Sequence, residues 1–153
     1  MTTTSALELT VEDVPEQTFA YVVRTVGLGE VGEFIGGAIE RVGEFARAHG
    51  GMQGPPMTVC SAPDENGFVV LEVGWPVQAG TEPEPPVEVS TLPATLAIVH
   101  VHVGPYDDLP ELYRGLYAEA HERGYTLVGS PRERYLSAPG DGPPVTEIAW
   151  PIA

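Results

Sequence analysis

Glu147 is the side chain in this sequence best placed to do chemistry. It lies in VTEIAWPI, residues 145–152, a β-branched run that predicts a strand. Strand side chains alternate faces, so Val145, Glu147 and Ala149 share one face and Thr146, Ile148 and Trp150 the other. A carboxylate between small apolar neighbours is costly to bury ionised unless it is paired. Desolvation raises its proton affinity, and a cationic ligand reverses that shift. Ala149 leaves room beside the acid, as a cleft floor requires. Glu72, in VVLEVGWPV (69–77), has the same surroundings between Val70 and Gly74. Two plainer assignments stand beside this one: a glutamate exposed on an outer face, or one tied to a neighbouring arginine.

Aromatic side chains could wall the same space. Trp75, Tyr106, Tyr113, Tyr117, Tyr135 and Trp150 cluster in the expected strands and helices. Aromatic faces around a carboxylate form a trap for a flat or cationic organic molecule, through stacking and cation–π attraction. Tyr113 and Tyr117, at helical spacing, also suit plain core packing. Tyr135, alternating with Arg134 on a strand, is the stronger pocket candidate. Trp150 falls opposite Glu147 by alternation. If the site were catalytic, Glu147 would serve as general base on water, with a tyrosine such as Tyr135 donating to the leaving oxygen.

Other motifs carry less. His100 and His102 share a strand face, but no cysteine or carboxylate at close spacing completes a metal set. No metal and no cofactor are expected. Gly27-Leu28-Gly29-Glu30-Val31-Gly32 matches GxGxxG between a strand and a helix. The equivalent turn at Gly104 lacks the pattern, and the chain continues strand–strand rather than as alternating βαβ units. These are turn glycines. Cys60, the one cysteine, sits in a strand-like run and reads as a buried, inert thiol.

The elements that must position these residues form a repeat. Glu72, Trp75, Pro76 and Val77 correspond to Glu147, Trp150, Pro151 and Ile152. Upstream, Ser61-Ala62-Pro63 matches Ser137-Ala138-Pro139 at nearly the same offset. The elements between these anchors correspond as well. A strand at about 19–26 precedes a helix at about 30–49, whose stripe is Val31, Phe34, Ile35, Ala38, Val42, Phe45 and Ala46. Strands follow at about 57–62 and 68–77. The second half has a strand at 95–103 and a helix at about 109–123. Its stripe is Leu109, Leu112, Tyr113, Leu116, Tyr117 and Ala120, and Asp108 with Glu111 suits a capping box with Pro110 in the first turn. Strands at about 132–138 and 145–152 complete it. The sequence therefore predicts an α+β fold: two strand–helix–strand–strand units forming an antiparallel sheet with two helices and a central cleft on a pseudo-twofold axis. The expectation is one domain over 1–153, with halves at about 7–77 and 87–153 and an extended Pro/Glu-rich linker, 78–86.

Composition bounds the function. The chain has 153 residues, 42% of them hydrophobic, and a formal charge of −15 from 22 acidic against 7 basic residues. That balance speaks against direct nucleic-acid or anionic-membrane binding, which need Lys/Arg clusters. It favours cationic ligands or a basic protein partner. No apolar run approaches the roughly 20 residues of a membrane span, no signal peptide is visible, and one cysteine suits a reducing compartment. The expected location is cytoplasmic.

The repeat, with VHVGPYDDL before the second helix, RERYLSAPG before the last hairpin and TEIAWPI at the end, resembles the GyrI-like family. That family includes effector-binding domains of MerR- and AraC-type regulators, stand-alone sensors, a gyrase-inhibitory protein and hydrolases of cyclopropane-bearing toxins. The resemblance covers nearly the whole chain, best over 87–153. It implies a pocket between the halves in which Glu147 is surrounded by aromatic groups. In the hydrolase branch it implies a Glu–Tyr pair that activates water. With the first family strand starting near residue 17, a stand-alone binding protein for hydrophobic, aromatic or cationic molecules is expected, in drug sensing, sequestration or resistance. The two alternatives are a hydrolase using Glu147 and an acidic inhibitor of a nucleic-acid enzyme such as gyrase.

Overall fold

The computed structural model describes residues 8–137 and 142–153. It contains eight strands, β1 (Thr10–Val14), β2 (Gln17–Gly27), β3 (Met57–Cys60), β4 (Phe68–Val77), β5 (Glu88–Leu92), β6 (Thr95–Val103), β7 (Arg132–Tyr135) and β8 (Val145–Ile152), and two helices, α1 (Val31–Ala48) and α2 (Leu109–Glu122). All pair antiparallel in one sheet of order β1-β6-β8-β7-β3-β4-β2-β5. The expected α+β duplication is what forms. With every strand antiparallel, the Gly27–Gly32 turn lacks the parallel βαβ setting of a dinucleotide site.

The repeat is visible in the register. Met57 pairs with Gly74 as Arg132 pairs with Ala149, and Thr58 pairs with Glu133 where the halves meet. The pseudo-twofold axis therefore passes between Thr58 and Glu133. The Ser repeat has a structural counterpart: the Ser61 and Ser137 hydroxyls accept the backbone N–H of Val70 and Val145 respectively. Ala138 and Pro139 of the second tripeptide lie outside the described residues.

Two strands were not anticipated, and they govern the shape. β1 precedes β2 yet pairs with β6, and β5 precedes β6 yet pairs with β2. Each half thus lends its leading strand to the other. In the sheet order β1 and β2 stand six strand spacings apart, as do β5 and β6. In a flat sheet that is about 29 Å. Val14 and Gln17, like Leu92 and Thr95, are three residues apart in sequence and span at most about 11 Å. The sheet must therefore curl until its edges approach, enclosing one face.

The helices cover the other face. Apolar stripes of α1 pack Ala38, Val42, Phe45 and Ala46 on Val22, Val26, Val69, Leu71 and Val73. α2 sets Leu109 and Leu116 on Ile148, and Ala120 on Ile98 and Ile152. Tyr117, expected in that stripe, is 61% exposed. Asp108 stands at the N-cap of α2 with Pro110 in the first turn, but its side chain makes no capping bond. Its carboxylate instead faces His102 at 3.6 Å, so the expected capping box does not form. Among the described residues no helix is long and apolar enough to cross a membrane.

Candidate functional site

Alternation along the paired strands assigns each side chain to a face. Glu147 and Ala149 of β8, Arg132 and Arg134 of β7, Met57 of β3, and Ala97 and Val99 of β6 belong to the enclosed face. Val14 folds over them from β1, packing on Ala97, Val99 and Ala149. Between these groups lies a cleft of about 200 Å³ lined by Met57, Val99, Arg132, Arg134, Glu147 and Ala149, with Glu12–Pro15 and Gln17 at its rim.

The cleft's charged groups are two guanidiniums and one carboxylate on its floor, with Glu12 and Asp13 at the rim. Arg134 Nη1 donates to Glu147 Oε1 at 2.8 Å, a half-exposed pair. Arg132 is different. It is 7% exposed, its Nη2 makes a long 3.5 Å contact to the Pro93 carbonyl, and its Nη1 has no hydrogen-bond partner among the described residues. Burial lowers its proton affinity.

The structure does not bring the expected aromatic wall to Glu147. Tyr135, taken as the better pocket candidate, points to the helix face. It is 9% exposed there and hydrogen-bonds to Glu133 and Thr58. Its neighbour Arg134 occupies the place facing Glu147. Tyr113 donates to the other oxygen of Glu133 and meets Trp150 edge-to-face. Tyr106 abuts Tyr135 edge-to-face and is half exposed. Trp75 lies under α1, its indole N–H donating to the Ile39 carbonyl at 2.8 Å. Trp150 is opposite Glu147, as alternation requires. Glu72 occupies the enclosed face in the first half, and burial, then Glu88, raises its pKa. Phe19 and Tyr21, stacked at 5.2 Å on β2, share that face by register and were missed.

On the helix face, Glu133 is a buried carboxylate at the pseudo-twofold axis, accepting from both Tyr113 and Tyr135. Desolvation raises its pKa and the two hydroxyls oppose that rise. Burial, then Glu133, holds the Cys60 thiol up at about 11, which keeps it protonated. His100 meets the Glu8 carbonyl and His102 the Pro105 carbonyl. No group of metal-ligating side chains occurs among the described residues.

A model of the GyrI-like small molecule binding domain matches residues 7–153. The chain belongs to that family. The match spans both halves of the repeat and the cleft between them, so a small-molecule ligand is the expected partner of this domain. No curated protein matches the sequence. Several solved structures share the fold. The EcmrR C-terminal domain superimposes with a TM-score of 0.76 at 22% identity, covering 95% of this chain and 97% of that one. In an EcmrR–DNA complex the TM-score is 0.78, but the chain spans only 57% of that protein's length. SAV2435, solved with tetraphenylphosphonium, gives 0.68 at 14% identity, covering 96% and 94%. A Listeria innocua hydrolase gives 0.63 at 12%, covering 95% and 92%.

Proposed function

We propose that this GyrI-like domain receives a hydrophobic, aromatic or cationic small molecule in the cleft at Glu147, and that it serves drug sensing, sequestration or resistance. The observation that carries the reading is the placement of Glu147. It sits largely buried on the enclosed face, with Arg134 as its one side-chain partner among the described residues. A ligand cation that approaches Glu147 takes the place of the partly exposed Arg134 guanidinium, so the carboxylate exchanges one positive partner for another without being left bare. The tetraphenylphosphonium carried by a protein of the same fold supports a lipophilic cation as ligand class.

The cleft is smaller than the roughly 300–1,000 Å³ of drug-sized sites. The test therefore pairs a large and a small probe: tetraphenylphosphonium and phenyltrimethylammonium, titrated into wild type and Glu147→Gln. At least one probe should bind wild type and raise its melting temperature by mass action. Its affinity should fall about tenfold or more in Glu147→Gln. Equal binding by both proteins would remove Glu147 from the site. A hydrolytic use of Glu147 as general base finds no support in the geometry, because Tyr135 is across the sheet and Arg134 holds the carboxylate.

A further inference from the structure

We propose that Arg132 is an oxyanion subsite within the cleft, and that the natural ligand is an apolar ring system bearing a carboxylate or similar acidic oxygen group. The inference rests on reading the cleft as the ligand site, and it adds a second recognition element there.

A buried guanidinium carries five N–H donors and a fixed positive charge. Taken out of water without a counter-charge, it is strongly destabilising, so buried cations are ordinarily paired. Arg132 is 93% buried by its 7% exposure. Among the described residues it has no ion pair within 4 Å, its Nη1 is unpartnered, and its one hydrogen bond is the 3.5 Å contact to Pro93. The nearby acids are committed or peripheral. Glu147 is held by Arg134, Glu12 accepts from Thr10, and Asp13 lies exposed at the rim. Glu133, the adjacent residue, points to the opposite face with its two tyrosines.

The repeat supplies an internal control. The position equivalent to Arg132 in the first half is Met57, which is 1% exposed and fills the same kind of place beside Gly74. An apolar side chain therefore satisfies this position where only packing is needed. The second half places a charge there instead, lining the same cleft as Met57. A carboxylate seated on Arg132 would make a charge-assisted hydrogen bond in a desolvated setting, where such bonds are strongest.

The test compares 2-naphthoate with the neutral 2-naphthamide by calorimetric titration into the intact chain, alongside phenyltrimethylammonium. Wild type should bind the acid at least tenfold more tightly than the amide. Arg132→Met should erase that preference, bind the cation no more weakly because a like charge leaves the cleft, and melt no lower than wild type, because it copies Met57. Equal affinity of wild type for acid and amide overturns the proposal without any variant. So does a preference for the acid that persists in Arg132→Met, or a variant that melts well below wild type with the preference intact, which would mark a structural prop for Pro93. If the cation binds in a Glu147-dependent way and the acid does not, the cleft reading stands and this inference falls. If neither ring compound nor either cation binds, both fall.

Discussion

Glu147 and Glu72 occupy equivalent places in the repeat, and their surroundings separate them. Glu147 has Arg134 at 2.8 Å, whereas the position equivalent to Arg134 in the first half is Val59, opposite Glu72. Without an ion pair among the described residues and beside Glu88, the Glu72 carboxyl is raised above its ordinary 4.5, by burial first and then by Glu88. A raised acid binds its proton more tightly folded than unfolded. Its contribution is complete below about 4.5 and is lost as pH rises through the folded value. Lowering the pH from about 7 toward 4.5 should therefore add stability through Glu72, against the usual trend for paired carboxylates. Urea midpoints across that range should show the gain in wild type and a smaller one in Glu72→Gln. Identical pH profiles would show that Glu72 is not desolvated in the native state.

The strands that carry the site are held close by small residues. An added Cβ at Gly74 would fall 1.9 Å from the Ala20 carbonyl oxygen on the neighbouring strand, so the backbones of β2 and β4 approach too closely there for any side chain. Gly74→Ala should cost about 1–3 kcal/mol or more through forced strand separation. The equivalent Ala149 already carries a Cβ, and Ala149→Gly should cost only about 0.5–1 kcal/mol. Denaturant midpoints of the pair would check the contrast, and equal losses would contradict it. The same elements show what the sequence made legible. The two Glu-x-x-Trp-Pro anchors, the helical stripes and the long strands β2, β4, β6 and β8 stand out because their periodicity is strong and local. β1 (TVEDV) and β5 (EVSTL) did not, because they are short, largely polar edge strands whose pairing is with the other half. A signal was present: Val14-Pro15 and Leu92-Pro93 precede β2 and β6 at equivalent places. The facing of Glu147 followed from alternation within one strand. Its partner did not, because whether Arg134 or Tyr135 meets it depends on the β7–β8 register, set across the intervening loop.

At the scale of the molecule, strand exchange between halves is what turns a duplicated sheet into a curled one with an enclosed face. Two short links that cross from one edge of the sheet to the other force it to curl, and the curl converts a strand face into an enclosed floor. The pseudo-twofold symmetry would permit two equivalent half-sites, yet the charges are distributed unequally. Arg132, Arg134 and Glu147 stand in one half, and Met57, Val59 and Glu72 in the other. The charged groups of the cleft are thereby concentrated in the second half, within a molecule whose overall charge of −15 attracts cations from solution. The most direct test is an amide and side-chain NMR titration with phenyltrimethylammonium on isotopically labelled protein. Shift changes should centre on Met57, Val99, Arg134, Glu147 and Ala149. Changes centred instead beneath the helices, at Trp75, Tyr113 or Trp150, would place the ligand on the opposite face and contradict the account.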